Sequence, residues 1–350
     1  MSNVQFGVSV IICCHNSAGR LPETLLHLAA QKVDKSIPWE VVIIDNASTD
    51  DTQVVAREHW SRPSVKLRVV SEPQVGLSHA RARGIDSSGF AFLSFIDDDN
   101  WVCPQWIQRV HDHFIGNPAS ALLGGPSLPA FEVAPPDWFY SITAFYAVGK
   151  QHEQDGDITN SMGTLLWGAG LSVRKDALKQ LWKDGFFFSC SGRKGTRLTA
   201  GEDSELCFAL RASGWRIHYD SGLKLRHFIP EGRLSWSYAR HLMKGMGRSA
   251  PLLNAYRFGL GGRGQGISLG SHVRESWVVQ SARSFRDLIR IFCLFPVTCV
   301  KGTEGCNSVL QFDRAIGEFL GYMCLAGRHR GVIRRIRNAA WNRRVHETQA

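Results

Sequence analysis

The stretch FAFLSFIDDDN, residues 90–100, joins an apolar run directly to three consecutive carboxylates, and its reading decides the fold. Phe90–Ile96 has the length and aromatic content of a buried strand and is too short for an independent helix. Asp97, Asp98 and Asp99 follow without a spacer. Adjacent carboxylates repel one another, and nothing about a strand end requires three of them. Two explanations stand. Asp and Asn are common in turns after strands; alternatively the acids face a divalent cation, which takes hard oxygen ligands and shares them with phosphate.

Working outward, the same grammar recurs. VSVIICC, residues 8–14, reads as a buried strand followed by His15-Asn16, and EVVIID, residues 40–45, as a second one followed by Asn46. Leu21, Leu25, Leu28 and Ala29 share one face of a helix over Leu21–Gln31. Ser48, Thr49 and Asp50 offer N-cap chemistry to a helix through Val54 and Val55. A third strand over Val65–Val70 and a helix over Leu77–Ile85 complete the approach to residue 90. This alternation predicts a parallel sheet covered on both faces, with ligands gathered at the carboxyl ends of its strands. His15-Asn16, Asp45-Asn46 and Asp97–Asp99 are therefore expected to converge on one crevice.

Downstream, Ala130–Asn160 is rich in aromatics, Pro and acids and reads as an insertion over the site. Trp167–Val173 returns to the sheet, Gly201–Gly214 is a helix opened by acids and closed by glycine, and Trp215–Tyr219 and Leu223–His227 are short strands. From about Glu231 the pattern turns helical, with Gly259–Gly270 as a linker. Charge changes at the same place. Residues 1–232 carry 22 Lys and Arg against 25 Asp and Glu, whereas residues 233–350 carry 19 against 6, so the whole excess of +10 belongs to the last third. A basic segment on a near-neutral body points to an anionic partner. With 44% hydrophobic and 21% charged residues, wholesale disorder is excluded. The nine cysteines form no CxxC pair and no zinc-ligand spacing. Their odd number, without a secretory signal, fits a reducing cytoplasm. No apolar run reaches the roughly 18 residues of a membrane-spanning helix.

Several other residues carry chemistry. Gly201-Glu202-Asp203 sits at a helix start, where acids interact well with the helix dipole; Asp203 is also placed to act as a general base toward an attacking hydroxyl. Gly168, Ala169 and Gly170 are small enough to let backbone approach a ligand, or they mark a sheet bend. Trp138, Phe139 and Tyr140 form an aromatic run that either packs or lines a ligand.

The ordered set VSVIICCHN, VVIIDNASTDDT, QVGLSHARARGI, FIDDDN, WGAGLSVRKDAL and GEDSELCFALRASGWRI closely resembles the family 2 glycosyltransferases. The resemblance covers roughly residues 7–230. It implies an α/β fold of the GT-A, Rossmann-like nucleotide-binding type as a catalytic domain over residues 1–230. A helical, basic C-terminal region then occupies 231–350. The implied chemistry is an inverting single displacement from a nucleotide sugar, UDP-linked in the first instance, to an acceptor hydroxyl, with Mn²⁺ or Mg²⁺ as cofactor. Asp203 would be the base. Asp97, Asp98 and Asp99 would form the DXD-type site for ribose and metal-bound diphosphate, Asp99 being the direct metal ligand with Asp97 and His227 as further candidates. Cys14, His15, Asn16, Asp45 and Asn46 match segments that read the nucleobase. Arg81 matches a basic position near the nucleotide, or is a solvated surface arginine, and Glu202 with the small Gly168, Ala169 and Gly170 completes the donor side. By position alone, Arg233 just past His227 is placed to reach the diphosphate, and Trp236 either meets the acceptor sugar, with Trp138, or packs in the core. Two departures from the family pattern stand out: Asn46 replaces an Asp found in several uridine-specific members, and Cys13-Cys14-His15-Asn16 replaces the usual first-strand motif.

A nucleotidyltransferase would need a Gly- and Lys/Arg-rich phosphate loop early in the chain, which Cys13–Gly19 lacks. A nucleic-acid-binding protein would use the basic tail but would leave the ordered acidic motifs without a purpose, so no nucleic acid is expected. In the last third, Val278, Ala282, Phe285, Ile289 and Phe292 recur at helical spacing with Arg283, Arg286 and Arg290 off that stripe. Ile291–Val300 continues the apolar character, and a second apolar helix over Val309–Ala326 precedes the tail of Arg328, Arg330, Arg334, Arg335, Arg337, Arg343 and Arg344. Either this region packs as a helical subdomain, or it lies on an anionic membrane face and serves a sugar or lipid-linked acceptor. The implied setting is surface polysaccharide or glycolipid assembly by a cytoplasmic chain, peripheral on the inner face of the membrane.

Overall fold

The computed structural model describes residues 5–161, 163–190, 201–260, 275–293 and 304–343. The chain forms two compact units, one from residues 1–130, 147–183 and 215–229, the other from 131–146, 184–214 and 230–350.

The first unit is built on an eight-stranded sheet. Its founding strands are β1 (Val8–Cys14), β2 (Trp39–Asp45), β3 (Lys66–Ser71) and β4 (Phe92–Phe95). Their order is β3-β2-β1-β4, and every pairing among them is parallel. The helices α1 (Leu21–Ala29), α2 (Thr52–Glu58) and α3 (Leu77–Ser87) are the crossovers between them. β1 is buried on both faces, so it reads as a continuous apolar run. Val8, Val10 and Ile12 pack with Leu21, Leu25 and Leu28 of α1.

Beyond β4 the sheet departs from the parallel expectation. β9 (Leu171–Arg174) runs antiparallel to both β4 and β6 (Ser120–Gly124), and β10 (Arg216–Tyr219) is parallel to β6. β8 (Gly156–Asp157) closes the edge, antiparallel to β10. The sheet is therefore mixed. Direction was hidden because a strand buried on both faces has the same composition whichever way it runs, and the long segment before β9 is not a helical crossover. α4 (Trp106–Gly116) and α5 (Lys175–Lys183) cover this half.

A second, three-stranded sheet, ordered β5-β11-β7, comprises Asn100–Val102, Leu225–Ile229 and Ser127–Phe131. β5 and β11 are antiparallel with His227 opposite Asn100. That register brings the end of the acid triplet beside a strand far away in sequence.

The second unit is helical: α6 (Glu202–Ala212), α7 (Trp236–Leu260), α8 (Trp277–Cys293), α9 (Asn307–Cys324) and α10 (His329–Arg337). α7 and α9 approach so closely that a Cβ on Gly317 would lie 2.1 Å from the Lys244 carbonyl oxygen, and one on Gly247 2.1 Å from that of Arg314. Glycine at both positions is what permits this seam. Arg240 donates to Asp313 across it at 2.6 Å.

The supposed linker begins inside a helix, since Gly259 and Leu260 belong to α7; residues 261–270 lie outside the described residues. Ile291–Cys293 end α8, whereas 294–300 and Arg344 also lie outside. Cys306 is disulfide-bonded, which a reading of the cysteines as reduced thiols does not anticipate. Among the described residues no helix is long and apolar enough to cross a membrane.

Candidate active site

In the first unit the chain turns at the carboxyl ends of β1, β2 and β4 assemble one cluster. After β1, His15 Nδ1 lies 2.7 Å from the Asn46 carbonyl oxygen, and Asn46 N–H donates to the Cys14 carbonyl at 2.8 Å. Asn16 adopts a left-handed φ of 52° and accepts from Thr49 N–H at 2.8 Å through its side chain. The Cys14 thiol is buried, and burial, followed by the charge of Asp98, pushes its pKa well up. The Cys14 side chain thus stays a neutral buried thiol, hydrogen-bonded with Ser17.

Asp45 and Asn46 are buried and engaged. Asp45 accepts from Ser48 N–H at 3.2 Å and from Gln53 Nε2 at 2.5 Å. Asn46 donates to the carbonyls of Glu72 and Gln74 at 3.0 and 2.7 Å and accepts from Gly76 N–H at 2.8 Å. Its amide clamps the loop after β3 onto the end of β2. Arg81 on α3 is half-buried, its guanidinium 5.9 Å from the centre of the Phe95 ring.

The acid triplet divides its labour. Asp97 is half-buried, while Asp98 and Asp99 are buried. Asp98 accepts from Arg20 Nη2 at 2.7 Å, and its backbone carbonyl accepts from Thr24 Oγ1 at 2.9 Å. Burial, then the neighbouring Asp99 charge, raises the Asp98 pKa, and Arg20 opposes both. Asp99 lies against β11: its carbonyl accepts from Phe228 N–H at 2.8 Å, and its Oδ1 is 3.6 Å from His227 Nε2. The predicted pair Asp99 and His227 is therefore brought together. Among the described residues no group of three or more His, Cys, Asp or Glu is arranged to hold a metal. One or two carboxylates with the remainder from phosphate and water is nevertheless how Mg²⁺ is commonly bound, and the Asp99 and Asp97 carboxylates fit that oxygen chemistry, whereas the His227 imidazole suits a softer ion than Mg²⁺.

Gly168, Ala169 and Gly170 are buried before β9. At Gly170, φ is 71° and a Cβ would lie 2.2 Å from Leu225 Cδ2 and 2.9 Å from the Trp106 ring, so its smallness serves packing.

The second unit holds the remaining candidates. Glu202 and Asp203 open α6; Glu202 is buried, Asp203 half-buried, and Asp203 Oδ1 accepts from Ser204 N–H at 2.8 Å. Two residues on, Glu205 accepts from the backbone N–H groups of Ser189, at 2.9 Å, and Cys190, at 2.8 Å, and its carboxylate also receives a side-chain hydrogen bond from Tyr256. Burial raises the Glu205 pKa despite these donors. Trp138 and Trp236 meet edge to face, their centroids 5.4 Å apart, and both indole N–H groups are buried without a hydrogen-bond partner among the described residues. Tyr146 donates to the Arg233 carbonyl at 2.9 Å, tying the same aromatic group to the start of α7.

Sequence reasoning missed Arg20 and Glu205. The first is a lone cation before a helix, without a spacing signal; the second was visible only as one more acid after Glu202-Asp203.

The family model for Glycosyl transferase family 2 matches residues 9–182. The glucosyl-dolichyl phosphate glucuronosyltransferase of Haloferax volcanii is 23% identical over 234 residues, covering 66% of this chain and 72% of that protein. The succinoglycan biosynthesis protein ExoM of Rhizobium meliloti is 25% identical over 252 residues, covering 70% and 75%. Among solved structures, Staphylococcus aureus TarS 1–349 in complex with UDP-GlcNAc superposes with a TM-score of 0.51 at 18% identity, covering 95% of this chain and 91% of that one. The chain belongs to glycosyl transferase family 2 and has the α/β fold of the GT-A glycosyltransferases. The nucleotidyltransferase and nucleic-acid-binding alternatives are set aside with that result.

Proposed function

From its membership of glycosyl transferase family 2, we propose that this chain is a metal-dependent inverting enzyme that transfers a sugar from a nucleoside diphosphate sugar to an acceptor hydroxyl. The observation that carries the reading is the buried Asp99–His227 pair beside the acid triplet, 3.6 Å apart at the carboxyl end of β4. Mn²⁺ or Mg²⁺ bound there would supply positive charge to offset that of the departing diphosphate.

The chain's own residues do the rest. Asp99, with His227 and Asp97, holds the diphosphate end of the donor; Asp98, fixed by Arg20, faces the ribose. The backbone around Cys14, His15, Asn16, Asp45 and Asn46 receives the base, because the Asn46 side chain is already committed to loop carbonyls. Arg81, Glu202 and Arg233 complete the charged surroundings of the donor.

Asp203 takes the proton of the acceptor hydroxyl. The oxygen forms its bond to the anomeric carbon from the face opposite the leaving group, the carbon–oxygen bond to the diphosphate breaks, and the electron pair leaves with the diphosphate. Trp236, half-buried, is the ring that meets the acceptor sugar, with the buried Trp138 packed edge to face behind it.

The reading extends to an acceptor at an anionic membrane surface. Its support is the basic last third of the chain and the name of the Haloferax volcanii relative, whose substrate is a lipid-linked sugar. The test is a thermal-shift screen of nucleoside diphosphate sugars, uridine diphosphate sugars first, with and without Mn²⁺. Stabilisation that needs both metal and nucleotide, and that Asp99→Ala removes, supports the reading. Equal stabilisation without metal would remove the metal from it.

A further inference from the structure

The apolar stripe of α8 faces the wrong way for a packed subdomain. In such a helix the stripe turns inward. Here Gln280, Ser281 and Ser284 are the inward residues, at 9%, 7% and 7% exposure, with Leu288 and Ile291 half-buried near them. Val278, Phe285, Ile289 and Phe292 stand outward at 55%, 48%, 47% and 64%.

This outward face is not a scatter of single residues. Phe285 meets Phe319 of α9 at 5.5 Å between ring centres, and Phe292 meets Phe312 at 5.9 Å. Met323, one helical turn past Phe319, is 46% exposed. Two helices therefore present one contiguous apolar surface, which a free-standing soluble protein rarely leaves open. Its flank is cationic: Arg283, Arg286 and Arg290 are all exposed along α8, and only Arg286 pairs with an acid on that helix, Asp287 at 2.9 Å.

We infer that the α8–α9 face is the surface by which this chain docks onto an anionic lipid bilayer, its aromatic stripe entering the acyl boundary and its arginines meeting the headgroups. This deepens the membrane reading of the proposed function and rests on it. The occupant follows from charge. An apolar strip flanked by exposed arginines, of which Arg286 is paired with Asp287, matches an interface that is apolar below and anionic above. A second copy of the chain would bring the same arginines against its own, a like-charge contact that costs affinity.

The test is flotation of the full chain with vesicles of phosphatidylcholine alone and of phosphatidylcholine with phosphatidylglycerol. The chain is expected to partition roughly tenfold or more into the anionic vesicles. Phe285→Ser/Ile289→Ser/Phe292→Ser should abolish that binding, and Arg283→Gln/Arg286→Gln/Arg290→Gln should remove the preference for anionic lipid. Both triples change exposed positions, and an unaltered melting temperature verifies that they fold. Two results overturn the inference: the apolar triple floats like the parent chain, or the parent is a dimer in solution that the apolar triple converts to monomer. Turnover on a water-soluble acceptor without vesicles is measured in parallel. Retained turnover with lost flotation bears out the docking face, and flotation without any turnover counts against the glycosyl-transfer reading alone.

Discussion

Asn46 spends its whole side chain on the loop that leads from β3 to α3: its amide donates to the Gln74 carbonyl at 2.7 Å and to that of Glu72 at 3.0 Å, while Gly76 N–H donates to its oxygen at 2.8 Å. In several uridine-specific relatives this position is Asp, yet in this chain a carboxylate would face two carbonyl oxygens.

Asn46→Asp is accordingly a stability variant before it is a specificity variant. We expect a loss of about 2 kcal/mol, the cost of two buried carbonyls losing their donors, read as a fall in the urea midpoint. Nucleobase preference among donors should not change. A variant as stable as the parent with altered base preference would contradict the clamp.

Arg20 holds Asp98 at 2.7 Å, opposing both its burial and the charge of Asp99. Arg20→Met leaves a buried carboxylate without its cation. Expected are destabilisation on the order of 2 kcal/mol and a rise in the KM for donor larger than any fall in kcat. Arg20→Lys should restore stability in part, because the point charge survives but the fixed geometry of the guanidinium does not.

His113 provides the pH dependence. Burial, reinforced by the neighbouring His218, lowers its pKa to about 4, and its Nε2 lies 2.9 Å from Ser120 Oγ. A pKa lowered by folding means that the unfolded chain binds the proton more readily. The stability this histidine contributes is then fully present above the ordinary histidine pKa and is lost as pH falls from there toward 4. Because the ring is only half-buried, about 1–2 kcal/mol is a generous bound. His113→Gln should flatten the melting temperature between pH 6.5 and 4, and an unchanged slope would contradict the assignment.

Glu205 ties Ser189 and Cys190 to the helix that begins with Asp203. Glu205→Ala strands two backbone N–H groups and should cost about 2–4 kcal/mol. Glu205→Gln keeps an acceptor and should recover most of that stability. If the carboxylate also holds the start of α6, the glutamine variant will lose kcat while its donor KM stays near that of the parent; full kcat would limit the residue to folding.

Much of the first unit was legible in the sequence, and the reason is local. The strands ending at Cys14, Asp45 and Phe95 are short apolar runs closed by polar turns, so their type showed, and their bounds to within two residues. Strand direction did not, because Leu171–Arg174 carries no residue that distinguishes parallel from antiparallel pairing. His227 and Asp99 were grouped only through the family resemblance, and the β5–β11 register supplies the physical reason that they meet. The stripe on α8 was readable as a stripe, but which way it faced depended on whether Ser281 and Ser284 could pack closely, a tertiary property that periodicity does not hold.

The proposal stands or falls on Asp203. Single-turnover transfer should be measured for Asp203→Asn beside the parent chain, with donor binding followed by Mn²⁺-dependent thermal stabilisation. The account predicts unchanged donor binding and transfer slower by about a thousandfold or more, since a removed general base typically costs on the order of 10²–10⁴ in rate. Transfer within a few fold of the parent would show that some other group takes the proton.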